Sequence, residues 1–184
     1  IHNGFLDMEP SRLYTAPAPY DDIFYEGATE LLDGTRAFQL WNMADHDLTP
    51  DQHDAVIAQY DGGIRYVDDQ IRSWVEDWRE DDGFDSSLFI VTSDHGEGLA
   101  QRRKKYSGHG DTHEEGLHVP LLMRFPDGLN ANVRVPSLVS HVDVVPTVLD
   151  YLNYPDDDRY PGYSLLRGRP QDALLIAEKS TIEV

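Results

Sequence analysis

The sequence predicts an α/β fold, in which helices alternate with buried strands. Apolar residues recur at three- and four-residue steps from position 56 to position 78, which predicts one face of a long helix. Two apolar runs, at 87–92 and 119–125, predict core strands. This alternation is typical of a layered sheet, and 184 residues are enough for one compact domain with a core.

The first fifty residues predict little regular structure. Residues 4–6 form a short apolar run that predicts a strand leading into a turn. Residues 10–50 contain four prolines with aromatic residues between them, which predicts a long irregular segment. Such segments often form functional surface loops.

The long helix has clear start and stop signals. Thr49 predicts an N-cap, Pro50 suits the first helical position, and Asp51 favours the positive end of the helix dipole. Gly62 and the glycine after it predict a bend or a close contact. The run 81–83, Asp-Asp-Gly, predicts the end of the helix.

The remaining elements follow from apolar patterning. The continuous run at 87–92 predicts a buried parallel strand, because both of its faces are apolar. The run at 119–125 predicts a second core strand, and 142–151 predicts an amphipathic helix. Residues 174–177 predict a short closing strand.

Composition excludes several classes of function. The chain carries 34 acidic and 15 basic residues, for a net charge of −19, which disfavours binding to nucleic acid and to anionic membranes. This acidity indicates either a solvated surface or adaptation to high salt. There is no cysteine, so disulfides and thiolate metal sites are excluded. No apolar run predicts a membrane span and no signal segment opens the chain, which favours the cytoplasm.

A candidate metal site follows the first core strand. Ligands of open parallel sheets bind beyond the carboxyl ends of strands, where Asp94 and His95 stand. Adjacent residues of an extended strand point to opposite faces, so both reach one metal only if the chain turns, which Gly96 permits. The alternative is a polar turn that ends the strand.

Two further features indicate anion chemistry. His109 lies between two glycines, where it is accessible as a general acid or an anion ligand, or is a loop histidine without a task. Residues 102–105, Arg-Arg-Lys-Lys, contrast with the acidic chain. They predict attraction of a sulfate or phosphate ester, or else a solvated charged run.

Several blocks together resemble the sulfatase family of the alkaline phosphatase superfamily. They occur in the family's order and at similar spacings, over about residues 50–168 and by extension the whole chain. The blocks are 60–71 (YDGGIRYVDDQI), 89–97 (FIVTSDHGE), 108–110 (GHG), 114–122 (EEGLHVPLL), 140–150 (SHVDVVPTVLD) and 162–166 (GYSLL).

The resemblance implies a fold and a set of site residues. It implies an α/β/α sandwich, of which residues 1–184 are the C-terminal part. It also implies a divalent cation, Ca²⁺ first and Mn²⁺ or Zn²⁺ as alternatives, held by Asp94 and His95. His109 is expected to protonate or stabilise the leaving-group oxygen, and Lys104 and Lys105 to contact substrate.

The chain departs from the family pattern near its start. Ser11 stands where relatives carry a histidine that contacts the ester, so that contact is lost or Ser11 or Arg12 replaces it. The resemblance places the nucleophile and two metal-binding acids in an N-terminal half. The isolated segment is therefore expected to be inactive and to need that half as a partner. Apolar surface left exposed by the missing half predicts dimerisation in isolation.

The sequence is compatible with three functions. The first is hydrolysis of a small-molecule sulfate ester. The second is hydrolysis of a phosphonate monoester or phosphodiester by the same superfamily machinery. The third is a degenerate, non-catalytic domain that binds an anion or a partner, which the serine at position 11 motivates.

Overall fold

The computed structural model describes residues 16–32, 49–81, 83–99, 107–108, 112–168, 170, 173–175 and 177. The chain divides into two compact units, 1–131 and 132–184. The first contains helices α1 (Ala28–Leu32), α2 (Pro50–Glu80) and α3 (Glu114–Leu117), and strands β1 (Phe89–Thr92), β2 (Gly98–Leu99), β3 (Ser107–Gly108) and β4 (Leu121–Arg124). The second contains a 3-10 helix (His141–Asp143) and α4 (Val144–Tyr151). The strand predicted at 4–6 lies outside the described residues.

Helix α2 begins where the sequence predicts. The Thr49 hydroxyl accepts a hydrogen bond from the Gln52 amide at 3.2 Å, and the Gln52 side chain accepts one from the Thr49 amide at 3.1 Å. This reciprocal capping box satisfies two amides that the first turn leaves unbonded. The helix ends at Glu80, before the predicted Asp-Asp-Gly stop. Among the described residues, no helix is both long and apolar enough to cross a bilayer.

The core of the first unit lies between α1, the first half of α2 and β2. Ala28 and Leu32 of α1 pack with Ala55, Val56 and Leu99. Helix α1 corrects the prediction that 10–50 is irregular, and its burial against α2 explains why so short a helix forms.

A glycine permits a second close contact with α2. A Cβ on Gly62 would lie 2.2 Å from the carbonyl oxygen of Tyr20. Of the two alternatives that the sequence left for this glycine pair, the structure shows the close contact.

The predicted core strands form, but their pairing differs from the prediction. Strands β1 and β4 are antiparallel, with Phe89 opposite Arg124 and Thr92 opposite Leu121. Strands β2 and β3 form a second antiparallel pair. The prediction that β1 is a buried parallel strand is wrong for this pairing, and its residues are only half-buried or exposed. An apolar run indicates burial on both faces, but the direction of the neighbouring strand depends on where the chain returns.

Phe84 joins the end of α2 to the β1–β4 sheet. Its buried ring packs edge-on against Trp78 and Phe89, at centroid distances of 6.0 and 5.4 Å. The Arg124 guanidinium lies 4.3 Å from the same ring centroid and donates a 2.8 Å hydrogen bond to the Phe84 carbonyl. These contacts fix the turn between helix and strand.

The second unit is organised by two fully buried polar residues. Asp143 accepts hydrogen bonds from the amides of Ser140 and Tyr163, both at 2.9 Å. The Thr147 hydroxyl donates to the Asp143 carbonyl at 2.6 Å and accepts from the Leu165 amide at 2.9 Å. Together they fasten the segment 162–166 to the start of α4.

The closing strand predicted at 174–177 is not observed. Residues 174, 175 and 177, which the structure describes, are irregular, and Leu174 is 81 % exposed. No described strand pairs with them. An apolar run forms a strand only where a sheet edge is available to bond with it.

Candidate active site

The turn after β1 is built by local hydrogen bonds. Ser93 is buried, and its hydroxyl donates to the His95 carbonyl at 2.7 Å. The His95 amide donates to Asp94 Oδ1 at 3.0 Å. Side chain to backbone bonds of this kind give the chain an alternative to the β ladder. The chain therefore leaves its extended path at this point.

That turn brings the Asp94 and His95 side chains together. Asp94 Oδ2 lies 3.7 Å from His95 Nε2. His95 Nδ1 lies 2.9 Å from the Gly96 carbonyl oxygen, which only accepts, so Nδ1 is the donor. In the neutral ring, Nε2 then carries the lone pair and is the nitrogen able to ligate a cation.

Gly96 anchors the turn to helix α3. Its amide donates to the Gly116 carbonyl at 2.8 Å. A Cβ on Gly96 would lie 2.0 Å from the Glu115 carbonyl oxygen and 3.0 Å from its carbon. Glycine is needed here because any side chain would collide with the Glu115 carbonyl. Backbone freedom is not the reason, since the φ angle of Gly96 lies outside the left-handed region that favours glycine. The supporting role of 115–116 was not predicted, although those residues lie in one of the matched blocks.

Helix α2 borders the same stretch of chain. The His53 Nε2 donates to the Leu99 carbonyl at 2.9 Å, which ties α2 to β2. Burial raises the pKa of Tyr60, and the Glu97 and Asp61 carboxylates raise it further. Burial also raises the pKa of Asp61. Helix α2 therefore lies beside the segment that follows the turn.

The structure describes only part of the predicted site. Asp94 and His95 are described and lie together. His109, Lys104, Lys105, Ser11 and Arg12 lie outside the described residues.

The histidine at position 118, to which the sequence assigned no role, is exposed. Its Nδ1 lies 3.5 Å from a Glu114 carboxylate oxygen, and both side chains are largely accessible to solvent. This pair is not part of the turn that contains Asp94 and His95.

The donor set can be tested against the metal that the resemblance implies. A carboxylate oxygen and an imidazole nitrogen suit Ca²⁺, Mn²⁺ or Zn²⁺. Asp94 and His95 converge, and the Nδ1 bond to the Gly96 carbonyl is the outer-shell support that ligating histidines use. Within the described part of the chain, no group of three or more His, Asp or Glu side chains could hold a metal. The two residues fit part of a metal site.

The sequence match decides the family. Residues 9–154 match the protein family described as Sulfatase. This chain belongs to the sulfatase family. Arylsulfatase K of Rattus norvegicus is 46 % identical over 80 residues, which are 44 % of this chain and 14 % of that protein. An uncharacterized sulfatase of Escherichia coli K12 is 27 % identical over 170 residues, 86 % of this chain and 33 % of that protein.

A solved structure supports the fold. The phosphonate monoester hydrolase of Agrobacterium radiobacter matches with a TM-score of 0.69 and 26 % identity, over 89 % of this chain and 38 % of that one. The chain therefore has part of the α/β fold of the alkaline-phosphatase-like hydrolases. It spans between about one seventh and two fifths of the length of these three proteins.

Proposed function

We propose that these residues are the C-terminal part of a metal-dependent sulfatase domain, and that the whole protein hydrolyses sulfate esters. Asp94 and His95 supply part of the cation site. The observation that carries the proposal is the 3.7 Å approach of Asp94 Oδ2 to His95 Nε2, with Nδ1 bonded to the Gly96 carbonyl. The membership of the chain in the sulfatase family supplies the reaction class.

The predicted site residues of this chain have separate tasks in that reaction. Asp94 and His95 would hold part of the coordination of a cation, Ca²⁺ first, which would supply polarisation of the ester oxygens. Asp94 contributes negative charge, and the Nδ1 bond holds the His95 ring with its Nε2 lone pair toward the carboxylate. His109 protonates or stabilises the leaving-group oxygen, Lys104 and Lys105 contact the anionic substrate, and Ser11 or Arg12 replaces the missing histidine contact. These five assignments rest on position in the sequence. The attacking nucleophile comes from outside these 184 residues, so the isolated chain is inactive.

Metal binding by the natural protein, which also contains the two acids that the resemblance places in the N-terminal half, is the first test. Mn²⁺ serves as the probe, because its bound fraction is measured directly by electron paramagnetic resonance. Asp94→Asn and His95→Gln should each weaken Mn²⁺ binding at least about tenfold, the lower end of what loss of an outer-shell partner causes. His118→Gln is the matched control, since this exposed histidine should leave Mn²⁺ binding unchanged. Equal Mn²⁺ binding by all variants would show that Asp94 and His95 are not ligands of the cation.

The reaction class needs the natural protein. Rates on an aryl sulfate and an aryl phosphonate should be measured side by side, with His95→Gln as the inactive reference. A higher rate on the sulfate supports the proposal. A higher rate on the phosphonate supports the second candidate, which is favoured by the likeness to the Agrobacterium hydrolase. No turnover of either ester, with the fold intact, indicates the non-catalytic alternative.

A further inference from the structure

Helix α2 changes character at its midpoint. All six of its buried residues lie between Ala55 and Gly63. From Ile64 to Glu80 each residue is half-buried or exposed. The apolar pattern nevertheless continues through this second half, so a face that predicts burial is left accessible to solvent.

The accessible apolar residues lie on one face. Their spacing alternates three and four residues, which places them in a single row along the helix. Within this row Trp74 is 52 % exposed, Trp78 41 % and Ile64 39 %. We name this row the α2 stripe; its members are Ile64, Val67, Ile71, Trp74 and Trp78.

The Trp78 ring is held in place on one side. A Cβ on Gly83 would lie 2.2 Å from Trp78 Nε1, so the indole lies directly on the glycine backbone. Trp78 also packs edge-on against the buried Phe84 ring at 6.0 Å. Trp78 therefore packs against the chain on one side while part of its ring stays accessible. Trp74 and Trp78, with Asp77 and Asp81, line a shallow groove of about 410 Å³.

The sheet near this helix is also small. Among the described residues β1 pairs with β4 alone, and two-stranded sheets are marginal in water without further cover. Leu122 of β4 is 59 % exposed. The Agrobacterium hydrolase has the same fold over 89 % of this chain, yet this match covers only 38 % of that protein. A domain of that fold thus contains more chain than these residues supply.

We infer that the α2 stripe is the surface on which the rest of the sulfatase domain packs. The occupant is the part of the natural protein that lies outside these 184 residues, with apolar side chains opposite Trp74 and Trp78. Basic side chains are expected at the rim, opposite Asp77 and Asp81. The inference rests on the proposed function only for the identity of this occupant.

Hydroxyl-radical footprinting, read by mass spectrometry at single residues, tests the inference without any need for turnover. The natural protein expressed from its own gene is compared with the 184-residue chain. Labelling of Trp74 and Trp78 should fall at least about fourfold in the natural protein, as for side chains that pass from 52 % and 41 % exposure to under about a tenth. Phe84, already buried, should be labelled equally in both. Equal labelling of the two tryptophans overturns the inference.

Two controls separate the alternatives. A 184-residue chain that forms a dimer and already protects both tryptophans would make a second copy the occupant, and this result also overturns the inference. The variant Trp74→Glu, which keeps the packing of Trp78 on Phe84, should destabilise the natural protein more than it destabilises the 184-residue chain. Ser73→Glu adds charge at an exposed site outside the stripe and should affect both proteins equally.

The outcomes for surface and function are distinct. Protected tryptophans in a natural protein that cleaves no ester support the α2 stripe and refute the function. Accessible tryptophans in a natural protein that cleaves sulfate esters would refute the inference about the α2 stripe and support the proposed function.

Discussion

Substitution of Gly96 by alanine tests whether the Asp94–His95 turn depends on contact with helix α3. The added Cβ would lie 2.0 Å from the Glu115 carbonyl oxygen. Ordinary carbon to oxygen contacts are about 3.3 Å, so one backbone must move by roughly 1.3 Å. Such a displacement breaks or lengthens the 2.8 Å hydrogen bond from the Gly96 amide to Gly116.

The magnitude follows from two contributions. Overpacking costs about 1–3 kcal/mol, and loss of one hydrogen bond costs about 1 kcal/mol. Gly96→Ala should therefore reduce the free energy of unfolding by about 2–4 kcal/mol. It should also weaken Mn²⁺ binding, because the Gly96 carbonyl that holds His95 Nδ1 moves with the backbone.

Urea denaturation and Mn²⁺ titration measure these two effects. Gly128→Ala is the matched control: its Cβ meets no atom within 4 Å, and only its positive φ of 71° opposes alanine. That control should cost about 1 kcal/mol and leave Mn²⁺ binding unchanged. If Gly96→Ala were no more destabilising than Gly128→Ala, the close contact with α3 would not support the turn.

Two predictions concern the second unit. Thr147→Val keeps the size of the side chain but removes the hydroxyl, which donates a hydrogen bond to the Asp143 carbonyl and accepts one from the Leu165 amide. It should cost about 1–3 kcal/mol in urea denaturation and speed hydrogen exchange at Leu165, whereas Thr147→Ser should retain most of that protection. Hydrogen bonds from the Arg159 side chain and amide lower the pKa of Asp157 to about 2. Because that folded pKa lies below the unfolded value of about 3.9, the stabilisation is complete above about pH 5 and is lost progressively as pH falls through about 2. Carbon-13 titration of Asp157 should show this midpoint, and it should rise in Arg159→Gln; an unchanged midpoint would exclude the pairing.

The sequence predicts best those elements whose signals are local. Thr49 and Pro50 are enough to place the start of α2, because a capping box involves only the first helical turn. The position of β1 and β4 follows from apolar runs. Strand direction, the short helix α1 and the irregular backbone at the described residues 174, 175 and 177 depend instead on partners distant in the chain. Ala28 of α1, for example, is buried only because α2 lies beside it.

The candidate site shows the same limit at a single residue. The sequence predicts that the glycine after His95 supplies backbone freedom, since glycine adopts left-handed conformations readily. In the structure its φ is ordinary, and what it supplies is the space into which the Glu115 carbonyl fits. A sequence shows that a Cβ is missing but not whether the absence serves the backbone angle or a neighbour. Because the neighbour lies some twenty residues further along the chain, only the folded structure assigns the reason.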